Sequence, residues 1–193
     1  MSSNVARKLL PLFAAALVLV AFSTPAALAQ KTFLSSDDAK ERDEPQKFLP
    51  DYDKLVKGKD ADWVYFPDGA LKGKSFLVKE FVNNGKGREA KEAASYGKEY
   101  MEQWLQKQGF DVVDKGGADY TVEGNIFNAW EPSGAARVWG GWGANPGVGI
   151  ELLIKNKSGA IVAELRQKSK GSTIHDAVEN GLEDCAKSIA KGK

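Results

Sequence analysis

Val148–Lys168 reads VGIELLIKNKSGAIVAELRQK, and its period of two sets the fold class. Val148, Ile150, Leu152 and Ile154 recur at every second position, as a strand with one apolar face requires. Asn156-Lys157-Ser158-Gly159 has the composition of a hairpin turn. Beyond it Ile161, Ala163 and Leu165 read as inward, and Glu164, Arg166 and Lys168 as outward, with Val162 breaking the alternation. Working upstream, Asp119–Trp130 alternates in the same manner: Tyr120, Val122, Ile126 and Trp130 on one side, Thr121, Glu123 and Asn125 on the other.

Two segments have helical spacing instead. Across Arg88–Gln108, Ala90, Ala93, Ala94, Gly97, Met101, Trp104 and Leu105 form one apolar stripe. Gly97 costs about 1 kcal/mol relative to Ala in a helix, which a close approach of its backbone to a sheet would offset. Gly109 followed by Phe110 is a left-handed stop with an apolar residue behind it. In Ile174–Lys191 the stripe is Ile174, Val178, Gly181, Leu182, Cys185 and Ile189, with Thr173 as N-cap. Trp63–Phe66 is a short strand closed by Pro67-Asp68-Gly69, and Phe110–Val113 another. Ser75–Val82 reads as one inner strand, with Phe76, Val78 and Val82 on one face and Leu77 and Phe81 on the other. The order of elements predicts an α+β fold. Its sheet would be mixed and mainly antiparallel, of about five or six strands, with two helices packed on one face.

Residues 48–193 carry this single domain, and what precedes it has another character. Arg7 and Lys8 stand before the uncharged run Leu9–Phe22, and Ala27-Leu28-Ala29 offers a cleavage site before Gln30. Residues 1–29 therefore read as a secretory signal peptide, too short in its apolar run for a span of about 20 residues. Export to the periplasm or cell exterior is expected, with no stable membrane insertion after cleavage. Residues 30–47 are charged and polar and read as a disordered linker.

The chain of 193 residues has 27 basic and 26 acidic side chains, an even balance that argues against a nucleic-acid partner. Loss of Arg7 and Lys8 with the signal leaves 25 basic against 26 acidic. A single Cys excludes an intramolecular disulfide, and with a single His it leaves no metal centre of the usual kind. No cofactor is expected. Cys185 falls on an apolar stripe and reads as a buried small hydrophobe; His175 falls off that stripe, at a helix start, and reads as a surface residue. No G-x-S-x-G elbow accompanies it. Asp51, Asp53, Asp60 and Asp62 do not fit the spacing of a calcium loop and read as solvated acids.

Trp130–Gly147, WEPSGAARVWGGWGANPG, is the unusual segment. It concentrates Trp130, Trp139 and Trp142 around Arg137 among many glycines. Trp and Arg are the residues of contact hot spots, and a connection this long without regular structure is commonly functional. The alternative is a structural loop folded over the sheet edge.

Two resemblances can be named on these residues. Phe48-Leu49-Pro50-Asp51-Tyr52-Asp53-Lys54-Leu55, followed by Val64-Tyr65-Phe66, resembles the opening of the exported bacterial proteins catalogued as domain of unknown function 3313. Ala118, Asp119, Tyr120 and Gly124, then Ala135-Ala136-Arg137 with Gly140, Gly141 and Gly143, then Ser158-Gly159, resemble the related domain of unknown function 4410. The resemblance implies an extracytoplasmic domain with a mixed sheet and flanking helices, and no catalytic residues. Members are often lipoproteins; this sequence has no acceptor Cys near its cleavage site.

The expected function is that of a non-enzymatic cell-envelope protein. It would bind a partner protein or envelope polymer through Trp130, Arg137, Trp139 and Trp142. The alternatives are a hydrolase using paired carboxylates on carbohydrate or peptidoglycan, and a small-ligand carrier with an enclosed apolar cavity.

Overall fold

The computed structural model describes residues 48–85, 88–131 and 145–192. The signal peptide, its cleavage residues Ala27, Ala29 and Gln30, and the linker to residue 47 lie outside them. A 3₁₀ turn at Tyr52–Lys54 is followed by β1 (Val56–Lys57), β2 (Trp63–Tyr65), β3 (Ser75–Val78) and β4 (Val82–Asn83). Then come α1 (Arg88–Lys107), β5 (Asp111–Val112), β6 (Tyr120–Trp130), β7 (Gly147–Asn156), β8 (Ile161–Lys170) and α2 (Ile174–Lys191). The strands form one mixed sheet in the order β1-β2-β8-β7-β6-β3-β5, with β4 also on β6. Pairing is antiparallel from β1 to β6 and parallel where β3, β4 and β5 join.

The fold class is α+β as expected, but the sheet has eight strands, not five or six. The extra count comes from two-residue strands such as β1 and β4, too short for a period of two to be seen. The expected strand Ser75–Val82 is two strands. The break at Lys79–Phe81 turns the chain over, so Phe81 is buried and Val82 is 47% exposed, the reverse of the sequence expectation.

The long hairpin sits at the centre. In β7, Val148, Ile150, Leu152 and Ile154 are fully buried against the helices. The turn after it is held by Asn156, whose Oδ1 accepts from the backbone N–H groups of Ser158 and Ala160 while Gly159 takes φ 84°. Helix α1 ends in a Schellman pair: the Phe110 N–H donates to the Leu105 carbonyl and the Gly109 N–H to that of Gln106. Helix α2 begins at Thr173, which accepts from the Asp176 N–H, as its sequence predicts.

Each helix meets the sheet through one glycine. A Cβ on Gly181 would lie 2.7 Å from Ser169 Oγ. A Cβ on Gly97 would lie 2.3 Å from the ring of Phe81, and one on Gly124 of β6 would also lie 2.3 Å from that ring. Phe81 is thus clasped between a helix glycine and a strand glycine, which explains why α1 retains Gly97. Tyr100, absent from the expected stripe, is buried, while Trp104 is only half-buried.

Helix propensity alone makes Gly97→Ala stabilising by about 1 kcal/mol. The clasp predicts the opposite, a loss of about 1–3 kcal/mol from overpacking. Urea unfolding of Gly97→Ala reads the sign, and pairing it with Phe81→Leu restores most of the loss if the ring is the cause.

Candidate functional site

The helices cover one face of the sheet; the other face carries the unusual chemistry. Directly opposed residues share a face, so Asn125, Glu151, Arg166 and Trp63 form one row across β6, β7, β8 and β2. Asn128, Gly149 and Lys168 form the next row, and Trp130, Gly147 and Lys170 the last. Leu153, Glu164 and Tyr65 lie in the opposite direction.

Arg166 is the hub of this face. Its Nη1 donates to Glu151 Oε1 at 2.5 Å, and Glu151 Oε2 accepts from Asn125 Nδ2 at 2.9 Å. The Asn125 Oδ1 in turn accepts from the Asn84 N–H at 3.3 Å. The guanidinium stacks 3.6 Å from the centre of the Phe127 ring and 5.4 Å from that of Tyr52. Such stacking suits the planar, weakly hydrated guanidinium. Burial raises the Glu151 carboxyl above its ordinary value, while Arg166 and Asn125 oppose that shift.

One end of the face lies under the segment Phe48–Leu55. Leu49 and Leu55 pack with Leu153, flanked by Phe48, Tyr52, Trp63, Tyr65 and Ile161. The Asp51 N–H donates to both oxygens of Glu164, at 3.0 and 3.2 Å. Burial raises the Glu164 carboxyl above the usual range, with that N–H acting the other way. Glu164 and Arg166 do point away from the helices, as alternation predicts. They are buried nonetheless, because the N-terminal segment and Phe127 cover them.

At the other end stands Trp130. The sequence places it on the side of Val122 and Ile126; the structure places it on the opposite face. A register shift between Ile126 and Asn128 inserts one residue, so Ala129 enters the helix-side core and Trp130 turns out. Its ring lies on Gly147, where a Cβ would come within 1.9 Å of it. A second shift between Ile154 and Lys155 does the same to Ile161, which joins the Leu49 cluster while Val162 joins the helix-side core. Of the four expected binding residues, Trp130 alone is among the described residues; Arg137, Trp139 and Trp142 lie outside them.

The remaining candidates have structural partners. Cys185 is fully buried and its thiol is pushed far above the usual value. His175 is exposed, as expected, and also hydrogen-bonds the Tyr100 hydroxyl between the helices. Asp60 pairs with Lys191 at 2.8 Å, and Asp62 Oδ2 accepts from the Lys168 N–H at 2.8 Å, so these acids fasten a loop to the domain. An open groove of about 480 Å³ lies between Lys72, Gly73, Asp119, Tyr120 and Asn156–Ser158. Asp119 there is held well below the ordinary carboxylate range by the Lys74 amide, the Lys157 ammonium and Ser75. Among the described residues no group of three His, Cys, Asp or Glu side chains could hold a metal ion.

No protein-family model matches the chain, and no curated protein sequence matches it. Solved structures do. A dodecamer of a single-substitution variant of PelC from Paraburkholderia phytofirmans is 15% identical, with a TM-score of 0.50 over 67% of this chain and 98% of that one. A second PelC dodecamer structure from the same organism is 19% identical, with a TM-score of 0.46 over 63% and 96% of the two chains. A Xanthomonas campestris protein of the DUF330 family is 8% identical, with a TM-score of 0.34 over 65% and 86%. The likeness to the first is one of fold.

The two buried carboxyls give separable predictions. Arg166→Met strands Glu151 without its partner and lowers stability by about 3–5 kcal/mol, most of which the Glu151→Met, Arg166→Met pair recovers, as read by urea unfolding. Glu164 binds its proton more tightly folded than unfolded, so its part of the stability grows as pH falls from above its raised value toward the ordinary glutamate value of about 4.3. Glu164→Gln should therefore be more stable than the parent at pH 7, with the difference shrinking at lower pH.

Proposed function

We propose that the chain is an exported envelope protein that binds a partner protein or envelope polymer without catalysing a reaction. The binding surface is the 130–147 connection and the end of the sheet from which it springs. The observation that carries this reading is Trp130. A bulge turns it out of the core and onto a glycine platform, at the mouth of a segment that holds Arg137, Trp139 and Trp142. A half-exposed Trp seated against backbone suits a contact role.

Export is supported by the leader-like residues 1–29, with Ala27, Ala29 and Gln30 at the cleavage point, and by the resemblance to the families of unknown function 4410 and 3313. No helix among the described residues is long and apolar enough to cross a membrane. The PelC structures are of a protein that assembles as a dodecamer, so this fold is compatible with extensive protein contacts. A role without catalysis is supported by the engagement of both buried carboxyls, Glu151 by Arg166 and Asn125, and Glu164 by the Asp51 amide.

Affinity capture from native envelope with the parent chain and with Trp139→Ala, Trp142→Ala tests the reading. The expected result is a co-purifying component lost in the double variant, whose circular dichroism and unfolding midpoint match the parent. A folded variant that captures the same material overturns it.

A further inference from the structure

We propose that Phe48–Leu55 is a strap that opens from the sheet as pH rises, with the Glu164 carboxyl as the group that couples the two. This is independent of the binding reading above. The strap is a unit of its own. Leu49 and Leu55 pack with Leu153 in a cluster separate from the helix-side core, so lifting the strap leaves that core closed. The 3₁₀ turn at Tyr52–Lys54 and the ion pair of Lys54 with Asp51, at 2.8 Å, are local to the strap and move with it. Beneath it lies Glu164, fully buried. The Asp51 N–H donates to both oxygens of that carboxyl, at 3.0 and 3.2 Å, and it belongs to the strap itself. Lifting the strap therefore removes cover and donor together and returns the carboxyl to water.

Every element around Glu164 brings ionisable groups toward it. The strap brings Asp51, which disfavours its charged form, and Lys54, which favours it. From β7 comes Glu151, which also disfavours the charge and is itself bound to Arg166, two positions along β8 from Glu164. Tyr65 lies directly opposite on β2, and beyond Leu153 in the same row Glu123 of β6 is paired with Lys79 and Lys155. Burial is the largest influence, and it raises the carboxyl above its ordinary value, so the closed strap holds a proton there more tightly than the open strap does. By linkage, opening is hardest below the ordinary glutamate value of about 4.3. It becomes easier as pH climbs toward the raised value, by at most about tenfold in the opening constant per pH unit, and is constant above that value. Opening bares Leu153, Ile161, Trp63 and Tyr65, an apolar patch that the acid form keeps covered.

The test is amide hydrogen exchange read by NMR on the chain from Gln30 onward, from about pH 4.5 to about pH 7.5, expressed as protection relative to the intrinsic rate at each pH. At every pH the Asp51 amide should be less protected than that of Leu152 in β7, and low urea should change its exchange little, as a sub-global opening requires. Its protection should fall as pH rises, by about tenfold or more across the range. Glu164→Gln keeps a buried acceptor without a charge. In that variant protection of the Asp51 amide at the top of the range should be about tenfold higher than in the parent and nearly level with pH. Equal protection of Asp51 and Leu152, parent protection that is level or rises with pH, or the parent's slope retained in folded Glu164→Gln would each overturn the proposal. The first two are read on the parent alone, so the test does not depend on the variant's folding.

Discussion

Every residue of β7 from Gly147 to Ile154 is buried, so the strand at the middle of the sheet must be covered on both faces. The rest of the architecture answers that requirement. On one face the cover is apolar: α2 lies over β7 and β8 and α1 over β6, and Val148, Ile150, Leu152 and Ile154 are fully buried beneath this layer. On the other face β7 presents Gly147, Gly149, Glu151 and Leu153, and each needs a different solution. Aromatic rings from β6 cover the glycines, Arg166 neutralises the glutamate, and Leu49 and Leu55 cover the leucine. Removing one of these partners exposes or strands its β7 residue, and a stranded buried carboxylate is the costliest of the three cases.

Two register shifts decide which side chains serve which face. Because side chains alternate with a period of two, one inserted residue exchanges the faces of everything beyond it. The shift at Phe127 sends Ala129 inward and Trp130 outward; the shift after Ile154 sends Val162 inward and Ile161 outward. Both act near strand ends, so the centre of the sheet keeps a clean alternation while its ends change sides. A buried core and an aromatic outer face are thereby built from the same strands.

The glycines show the complementary rule. Gly97, Gly124, Gly147 and Gly149 all stand where a ring lies against backbone, and only the ring's location differs. Phe81 between Gly97 and Gly124 locks a helix to the sheet, whereas Trp130 on Gly147 is half-exposed. The geometry that fastens the core on one face leaves an indole half-exposed on the other.

Alternation in 148–168 and 119–130, the two helical stripes, the Thr173 cap and the Gly109 stop are short-range patterns, and they suffice for the fold class. Helical and strand periods, caps and turns depend on residues within a few positions of one another. Trp130 stands out in the sequence by its type and company, but the face it takes was not legible. The stack of Tyr52, Arg166 and Phe127, the burial of Glu164 beneath Asp51, and the clasp on Phe81 were not legible. Arg166 and Glu164 alternate as surface residues do, and Phe81 reads as part of one continuous strand. Their surroundings come from residues far away in the chain: Glu164 is reached by Asp51 across 113 positions, and Asp62 reaches Lys168 across 106. No local pattern encodes these features, because a desolvated charge and a ring seated on a glycine are defined by what the folded chain brings against them.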